Sequence, residues 1–296
     1  MTPSFLRRAR TSATVIAATC ALVALPSVGA SAASTAEEPG EIVAMGDSWA
    51  AGSWVAPIAN DAPALCFRSA ENAGALIAKQ HGLALTDVTC GGAQTKDFRG
   101  QQYPWVKPQL AALKPTTDYV VLNIGGNDNQ TFLAAGIACL TAAPTTLYSG
   151  SPCKKIYGSR FVDKINAATY PAVKQVLQDI RAKAPSAKIA ILGYQDALPP
   201  TFTKRCQALM PFAEGDFAYI REVQDTLNSA VKRAATETGA TYVDMPAVSI
   251  GHDACSGREN RWVAPINFSV DNIAIVHPSA LGNRAMAEQA AAALGL

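Results

Sequence analysis

The sequence predicts a three-layer α/β/α sandwich built around a central parallel sheet. Short apolar runs alternate along the chain with longer segments of helical periodicity. Continuous apolar runs are typical of strands in a parallel sheet whose two faces are both covered. Their alternation with helices predicts a doubly wound α/β fold. Strands are predicted at residues 42–45, 83–88, 119–124, 189–193 and 241–243, and helices at residues 70–80, 106–113, 161–184, 217–238 and 280–293.

The first 34 residues have the features of a secretory signal peptide. Three arginines form a basic start, an apolar stretch follows, and Ala30-Ser31-Ala32 is typical of a cleavage site. Thr, Ser and Pro residues interrupt the apolar stretch, which argues against a membrane-spanning anchor. We therefore expect residues 1–34 to be removed and residues 35–296 to form a single domain. This domain is expected to be secreted and extracellular, with no stable membrane anchor.

The chain that remains after such cleavage has an almost balanced charge. Three of the 25 Lys and Arg residues lie in the signal peptide, so 22 remain against 23 Asp and Glu. Without a basic excess, nucleic acids and anionic membranes are not expected as partners. The remaining length suits one domain with a substantial core, and we expect a monomer.

The number of cysteines is typical of an exported protein. Cys20 leaves with the signal peptide, and an even number of cysteines in a secreted chain predicts three disulfides. No CxxC pair or histidine cluster is present, so a metal site is disfavoured and no cofactor is expected. Residues 141–159 and 198–215 contain Pro, Gly and Cys and are predicted as long loops anchored by disulfides. The six remaining cysteines are Cys66, Cys90, Cys139, Cys153, Cys206 and Cys255.

Polar and glycine-rich segments follow three of the predicted strands. Ser48 comes just after the first strand in Gly46-Asp47-Ser48, Gly92 follows the second, and Asn127 follows the third. Ligands of open α/β sheets bind beyond the carboxyl ends of the strands, so the three residues should meet at one edge. There Ser48 is a candidate nucleophile. Asp47 is interpreted as a loop-structuring residue that bonds nearby backbone N–H groups.

Three histidines are candidates for the base that a serine nucleophile needs. His81 ends a predicted helix, where an imidazolium is stabilised by the helix dipole, so a structural role is expected. His252 lies in a predicted loop and is the reserve candidate. His277 is preferred because Pro278 restricts its backbone and Ser279 can cap the helix that follows.

An oxyanion hole can be built from three donors at the same edge. These are the backbone N–H groups of Ser48 and Gly92 and the side-chain amide of Asn127. Gly92 lacks a Cβ and permits close approach of a substrate, and the neutral amide of Asn127 offers two N–H donors. A simple strand-to-helix turn with a polar cap explains Gly125-Gly126-Asn127-Asp128 equally well when this motif is taken alone.

Together these residues resemble the SGNH hydrolase family, also called GDSL lipases and esterases. Its four sequence blocks are matched in order by Ser48, Gly92, Asn127 and His277, over essentially the whole chain after the signal peptide. The resemblance implies a flavodoxin-like α/β/α sandwich and hydrolysis of carboxylic esters. The chain looks closest to secreted bacterial members with three disulfides, which implies the pairs Cys66–Cys90, Cys139–Cys153 and Cys206–Cys255.

One position departs from the family pattern. Many members carry an Asp three residues before the histidine, and here that residue is Ala274. In the similar secreted lipases a backbone carbonyl can take this role, so the Ala274 carbonyl is predicted to accept from Nδ1–H of His277. Asp271, six residues upstream, is the alternative partner. The sequence thus predicts a dyad instead of a full triad.

The resulting hypothesis is a secreted serine esterase or lipase that acts through a Ser48 acyl-enzyme with His277 as base. Its substrates would be ester bonds of lipids or acyl esters, phospholipids included. Trp49 and Trp54 are candidates for an acyl groove, with a core position favoured slightly for Trp54. The alternatives are a polysaccharide or peptidoglycan O-deacetylase of the same fold, and an inactive secreted binding protein. An ordinary α/β-hydrolase is disfavoured because no G-x-S-x-G elbow occurs.

Overall fold

The structure is a computed structural model that describes residues 12, 14, 39–267 and 274–296. The chain divides into Met1–Glu38 and Pro39–Leu296. The second unit contains every strand and helix described below. The predicted signal peptide lies almost entirely outside the described residues and stays a prediction.

The described residues form one five-stranded sheet in which every neighbouring pair is parallel. The spatial order is β2-β1-β3-β4-β5, which is the order of flavodoxin-like sheets. All five predicted strands are confirmed to within a residue or two at their ends. They are β1 (Glu41–Gly46), β2 (Ala84–Asp87), β3 (Tyr119–Asn123), β4 (Lys188–Leu192) and β5 (Thr241–Val243).

Helices lie on both faces of this sheet, so the three-layer prediction is confirmed. The helices of the described residues are α1 (Ala73–His81), α2 (Thr131–Ala142), α3 (Pro152–Tyr157), α4 (Arg160–Lys164), α5 (Tyr170–Lys183), α6 (Lys204–Leu209), α7 (Asp216–Thr238), α8 (Met245–Val248) and α9 (Ala280–Leu294). A π-helical turn at Ile165–Thr169 joins α4 to α5, so the predicted helix at residues 161–184 is nearly continuous.

The strands alternate their side chains between two cores. Along β1, Val43 and Met45 belong to the core shared with α5 and α7, whereas Ile42 and Ala44 belong to the core shared with α1 and α9. All four side chains are buried. Burial on both faces explains why residues 42–45 of β1 form an uninterrupted apolar run in the sequence.

Three segments differ from their predictions. Residues 106–113 form only a 3-10 turn at Gln109–Ala112, because Pro108 disfavours helical geometry at the residue before it. The predicted loops at residues 141–159 and 198–215 contain the short helices α3 and α6. Helix α2 was not predicted, because it is apolar on nearly every side and has no amphipathic period.

The structure forms the three disulfides that the family resemblance implies. Cys66–Cys90, Cys139–Cys153 and Cys206–Cys255 have Cα–Cα separations of 4.2, 4.9 and 5.0 Å. The first joins the loop after β1 to the loop after β2. The second ties α2 to α3, and the third ties α6 to the loop after α8. All three therefore constrain loops beside the carboxyl edge of the sheet.

Candidate active site

Ser48 lies on the turn that ends β1. Gly46 has φ +119°, and a Cβ there would lie 2.0 Å from the carbonyl oxygen of Asn123, so only glycine fits this position. A helical turn then begins at Asp47, whose carbonyl accepts the N–H of Ala51 at 2.9 Å. Ser48 is at the start of this turn and is 9 % exposed. Within the part of the chain that the structure describes, no acceptor contacts its backbone N–H.

His277 reaches this serine from the other end of the chain. Its Nε2 lies 2.7 Å from Oγ of Ser48, which is hydrogen-bonding distance. Burial lowers the pKa of the imidazole below its ordinary value of 6.5, and the hydrogen bond to the Ile275 carbonyl partly opposes this. At neutral pH the ring is therefore uncharged, and Nε2 can accept the serine proton.

The carbonyl that holds His277 is not the predicted one. Nδ1 of His277 lies 2.7 Å from the carbonyl oxygen of Ile275. The Ala274 carbonyl instead accepts the backbone N–H of His277 at 3.0 Å, closing a tight turn. Val276 within this turn has φ +53°, an uncommon value for a β-branched residue. The turn uses the Ala274 carbonyl and leaves that of Ile275 for the ring. Asp271, the alternative partner, lies outside the described residues.

Of the other two candidate residues, Asn127 lines the same cavity as Ser48 and His277, whereas Gly92 lies in the adjoining loop after β2 and is not one of the cavity-lining residues. Gly92 follows Cys90, whose N–H donates to the carbonyl of Gly46 at 3.1 Å, so the second block lies against the end of β1. Gly92 is exposed and has φ +77°. Among the described residues its N–H has no acceptor. Asn127 donates from Nδ2 to the carbonyl of Ala93 at 3.1 Å, which keeps its second N–H free for a ligand.

A buried network beneath Ser48 was not predicted from the sequence. Tyr194, just after β4, donates its hydroxyl proton to Oδ2 of Asp47 at 2.5 Å and accepts the N–H of Gly126 at 2.8 Å. Oδ1 of Asp47 accepts the N–H of Trp49 at 3.0 Å, so Asp47 does structure its loop as expected. Burial raises the pKa of the Asp47 carboxyl to about 7, against the opposing hydrogen bonds from Tyr194 and Trp49.

A second carboxylate ties two of the sequence blocks together. Asp128 accepts the backbone N–H and the hydroxyl of Thr95, both at 2.8 Å. Burial raises the pKa of this carboxyl, and its bonds to Thr95 oppose the shift. With the bond between Asn127 and Ala93, these contacts fix the loop after β3 to the loop after β2.

Ser48 and His277 lie in an apolar cavity of about 230 Å³. Its walls come from the loops after β1, β3 and β4, from α2, from the segment after α6, from α7 and from the loop before α9. The cavity is lined by Asp47, Ser48, Trp49, Gly126, Asn127, Phe132, Leu133, Ala135, Gly136, Ile137, Leu140, Tyr194, Ala197, Leu198, Met210, Phe212, Ile220, Ile266, Ile275, Val276 and His277. Concave, mostly apolar sites with a few polar groups are typical of ligand pockets.

The remaining candidates take other positions. Trp49 lines the cavity and packs edge-on against Tyr194, with ring centroids 5.2 Å apart. Trp54 is neither in the cavity nor in the core: it is 38 % exposed and stacks on Phe67. His252 stacks on Trp262, 4.1 Å between centroids, and is absent from the cavity wall. His81 is the last residue of α1, as predicted.

Comparison with known proteins agrees with this geometry. A sequence model of the GDSL-like Lipase/Acylhydrolase family matches residues 44–285, which include all four sequence blocks. The chain belongs to this family. It is 48% identical to "Lipase 2" of Streptomyces coelicolor over 98% of each chain, and 30% identical to a lipase of Streptomyces rimosus over 88% of this chain and 89% of the relative.

Two solved structures are also similar to this chain. The extracellular lipase of Streptomyces rimosus superposes with a TM-score of 0.70 at 25% identity, covering 85% of this chain and 99% of the other. Phospholipase A1 of Streptomyces albidoflavus NA297 gives 0.69 at 26% identity, covering 83% and 95%. With the family match, these similarities show that the chain is a carboxylic ester hydrolase of the lipase/esterase class. In the described residues, no helix is both long and apolar enough to cross a membrane.

Proposed function

We propose that this GDSL-family enzyme is a secreted serine esterase or lipase that cleaves lipid esters through an acyl-enzyme on Ser48. The observation that carries the proposal is the 2.7 Å contact between Oγ of Ser48 and Nε2 of His277 at the wall of an apolar cavity. A nucleophile in contact with a neutral base is the arrangement that acyl transfer requires. The cavity supplies a place for the acyl chain.

In the acylation step, Nε2 of His277 takes the hydroxyl proton while Oγ of Ser48 attacks the ester carbonyl carbon. The developing oxyanion is bound by the N–H groups of Ser48 and Gly92 and by the amide of Asn127. Nδ1–H donates to the Ile275 carbonyl and so holds the ring in the tautomer that leaves Nε2 unprotonated. His277 then gives the proton to the departing alcohol, and the acyl group stays on Ser48.

Deacylation reverses these roles. His277 removes a proton from water as the water oxygen attacks the acyl-enzyme, the same donors bind the second oxyanion, and the proton returns to Ser48 as the fatty acid leaves. Among the described residues no carboxylate contacts the His277 ring, so we assign none a part in this cycle. A backbone carbonyl stabilises the transient imidazolium less than a charged Asp would, because it carries only a partial charge.

Lipid esters are the substrates that the cavity favours. Its wall is mainly aliphatic and aromatic and offers few polar contacts to a sugar ring or a peptide. The relatives include proteins named as lipases and one named as a phospholipase A1. We therefore propose acylglycerols or phospholipids as the natural substrate class.

We propose that the protein is secreted and acts outside the cell. The predicted signal peptide and three disulfides fit an oxidising environment outside the cytoplasm, and a similar structure is named as an extracellular lipase. We also propose that the enzyme works as a monomer, because the proposed catalytic groups all come from one chain.

Hydrolysis of a p-nitrophenyl ester series of increasing chain length tests this function. We expect wild-type activity to peak beyond acetate, because the apolar cavity binds methylene groups, and Ser48→Ala to give no rate above background. Equal rates for wild type and Ser48→Ala would refute the serine mechanism. A peak at acetate would instead support the O-deacetylase alternative, and no activity on any ester would support an inactive binding protein.

A further inference from the structure

Large apolar side chains surround the mouth of the catalytic cavity while remaining open to solvent. Leu133 and Ile137 on α2 are 56 % and 53 % exposed, and Ile275 beside His277 is 37 % exposed. All three also line the cavity that holds Ser48. Single exposed apolar residues are ordinary, but a contiguous apolar patch marks an interaction site, and these three residues are joined by the catalytic cavity that they all line.

Helix α2 presents this surface in a fixed orientation. Leu133 and Ile137 are four residues apart and therefore lie on the same side of the helix. Ala135 and Cys139 are buried on the opposite side, and the disulfide of Cys139 with Cys153 ties the helix to α3. Because the side of the helix that carries Cys139 is packed against the protein, the side that carries Leu133 and Ile137 stays exposed. The docking face is defined here as the exposed surface of Leu133, Ile137 and Ile275.

The docking face is also free of nearby charge in the sequence. Residues 129–153, which include all of α2, contain no Asp, Glu, Lys or Arg, and neither do residues 274–283 around His277. A surface that binds an anionic membrane would be expected to supply Lys or Arg. One cation does contact this region, since Nζ of Lys164 on α4 donates to the carbonyl of Asn129 at 2.9 Å, just before α2 begins. The segments themselves supply apolar contact without a cluster of cations, which favours a partner that is uncharged overall.

We propose that the docking face lies on the surface of an electrically neutral lipid aggregate, with Leu133, Ile137 and Ile275 in contact with its apolar layer. The inference rests on the proposed function, since the aggregate supplies the ester. An ester group in such a surface then faces Ser48, and its acyl chain passes into the cavity without crossing water. The enzyme is thereby suited to aggregated substrate.

Binding to vesicles of ether-linked phosphatidylcholine, which has no cleavable ester, tests docking separately from catalysis. Ser48→Ala protein is mixed with the vesicles, and the bound fraction is measured by flotation over a range of lipid concentrations. We expect binding that does not weaken in high salt. Adding Leu133→Asp and Ile137→Asp should lower the partition coefficient by about tenfold or more, because charged groups resist transfer into the lipid interface.

Leu85→Asp in the same Ser48→Ala background is the matched control. Leu85 is 38 % exposed on β2, the strand at the edge of the sheet, and does not line the cavity. The control should bind vesicles as the parent does. A milder pair, Leu133→Ser with Ile137→Ser, should also weaken binding, and thermal unfolding checks that each variant is folded.

Several results would overturn the proposal. The proposal fails if the Ser48→Ala parent does not bind the vesicles, or if it binds only when anionic lipid is added. It also fails if the parent and both double variants bind equally well. A dimer of the parent that the double substitution dissociates would assign the face to a second copy of the chain instead. Ester hydrolysis by Ser48→Ala would refute the serine mechanism but leave the vesicle result intact, so the two failures are distinguishable.

Discussion

Replacing His277 by Ala is expected to lower kcat/KM for ester hydrolysis by on the order of 10⁴-fold or more. In the proposed mechanism the imidazole takes the proton from Oγ of Ser48, and among the described residues Nε2 of His277 is the group in contact with that oxygen. The kcat/KM of the double variant Ser48→Ala/His277→Ala should be close to that of either single variant. Residues that act as one unit lose their whole contribution when either is removed.

His252→Ala is the matched control for this substitution. The imidazole of His252 lies outside the cavity. Its Nδ1 is 2.6 Å from the carbonyl oxygen of Asn260, and its ring stacks on Trp262. Its removal should leave kcat/KM close to wild type. A large loss for His252→Ala together with a small loss for His277→Ala would exchange the two roles and disprove the assignment of the base.

Replacing Asn127 by Ala should lower kcat by roughly 10²–10³-fold, as expected for the loss of one oxyanion donor. The amide already donates to the Ala93 carbonyl at 3.1 Å, which holds it in place before substrate arrives. Because the oxyanion forms only after attack, the loss should appear in kcat and leave KM nearly unchanged. Steady-state kinetics on a soluble short-chain ester checks this.

The same contact gives Asn127 a structural contribution that must be separated from its effect on rate. Losing the bond to Ala93 is expected to cost about 1 kcal/mol of unfolding free energy, measured by denaturant titration. Asn127→Asp keeps the shape but removes both N–H donors and adds negative charge, so it should be no more active than Asn127→Ala. A rise in KM with kcat unchanged would show that Asn127 binds substrate without stabilising the oxyanion.

Most of the fold could be predicted from local patterns in the sequence. Runs such as residues 42–45 and 119–122 are apolar because both faces of the sheet are covered, so the signal for a buried parallel strand is direct. Helix α7 is amphipathic and was predicted within one residue at its start. Helix α2 carries no such signal, since it is apolar on the side that lines the cavity and on the side that faces solvent.

Some residues of the candidate site could likewise be predicted from the sequence, and others could not. Ser48, Gly92 and Asn127 follow strands closely, so sheet topology alone brings them to one edge. The carbonyl that holds His277 depends on the positive φ of Val276, which nothing in the residues Ile275-Val276-His277 indicates. Tyr194 likewise reaches Asp47 across a sequence separation of 147 residues, a contact that only the packed structure reveals.

The most direct test of the proposed dyad is kcat of Asp271→Asn on a soluble p-nitrophenyl ester, compared with wild type. The dyad assigns the orientation of His277 to the backbone carbonyl of Ile275, 2.7 Å from Nδ1. We predict that kcat stays close to the wild-type value, because no carboxylate is needed to hold the ring. A loss of roughly a hundredfold or more, as expected when the acid of a true triad is removed, would contradict the account.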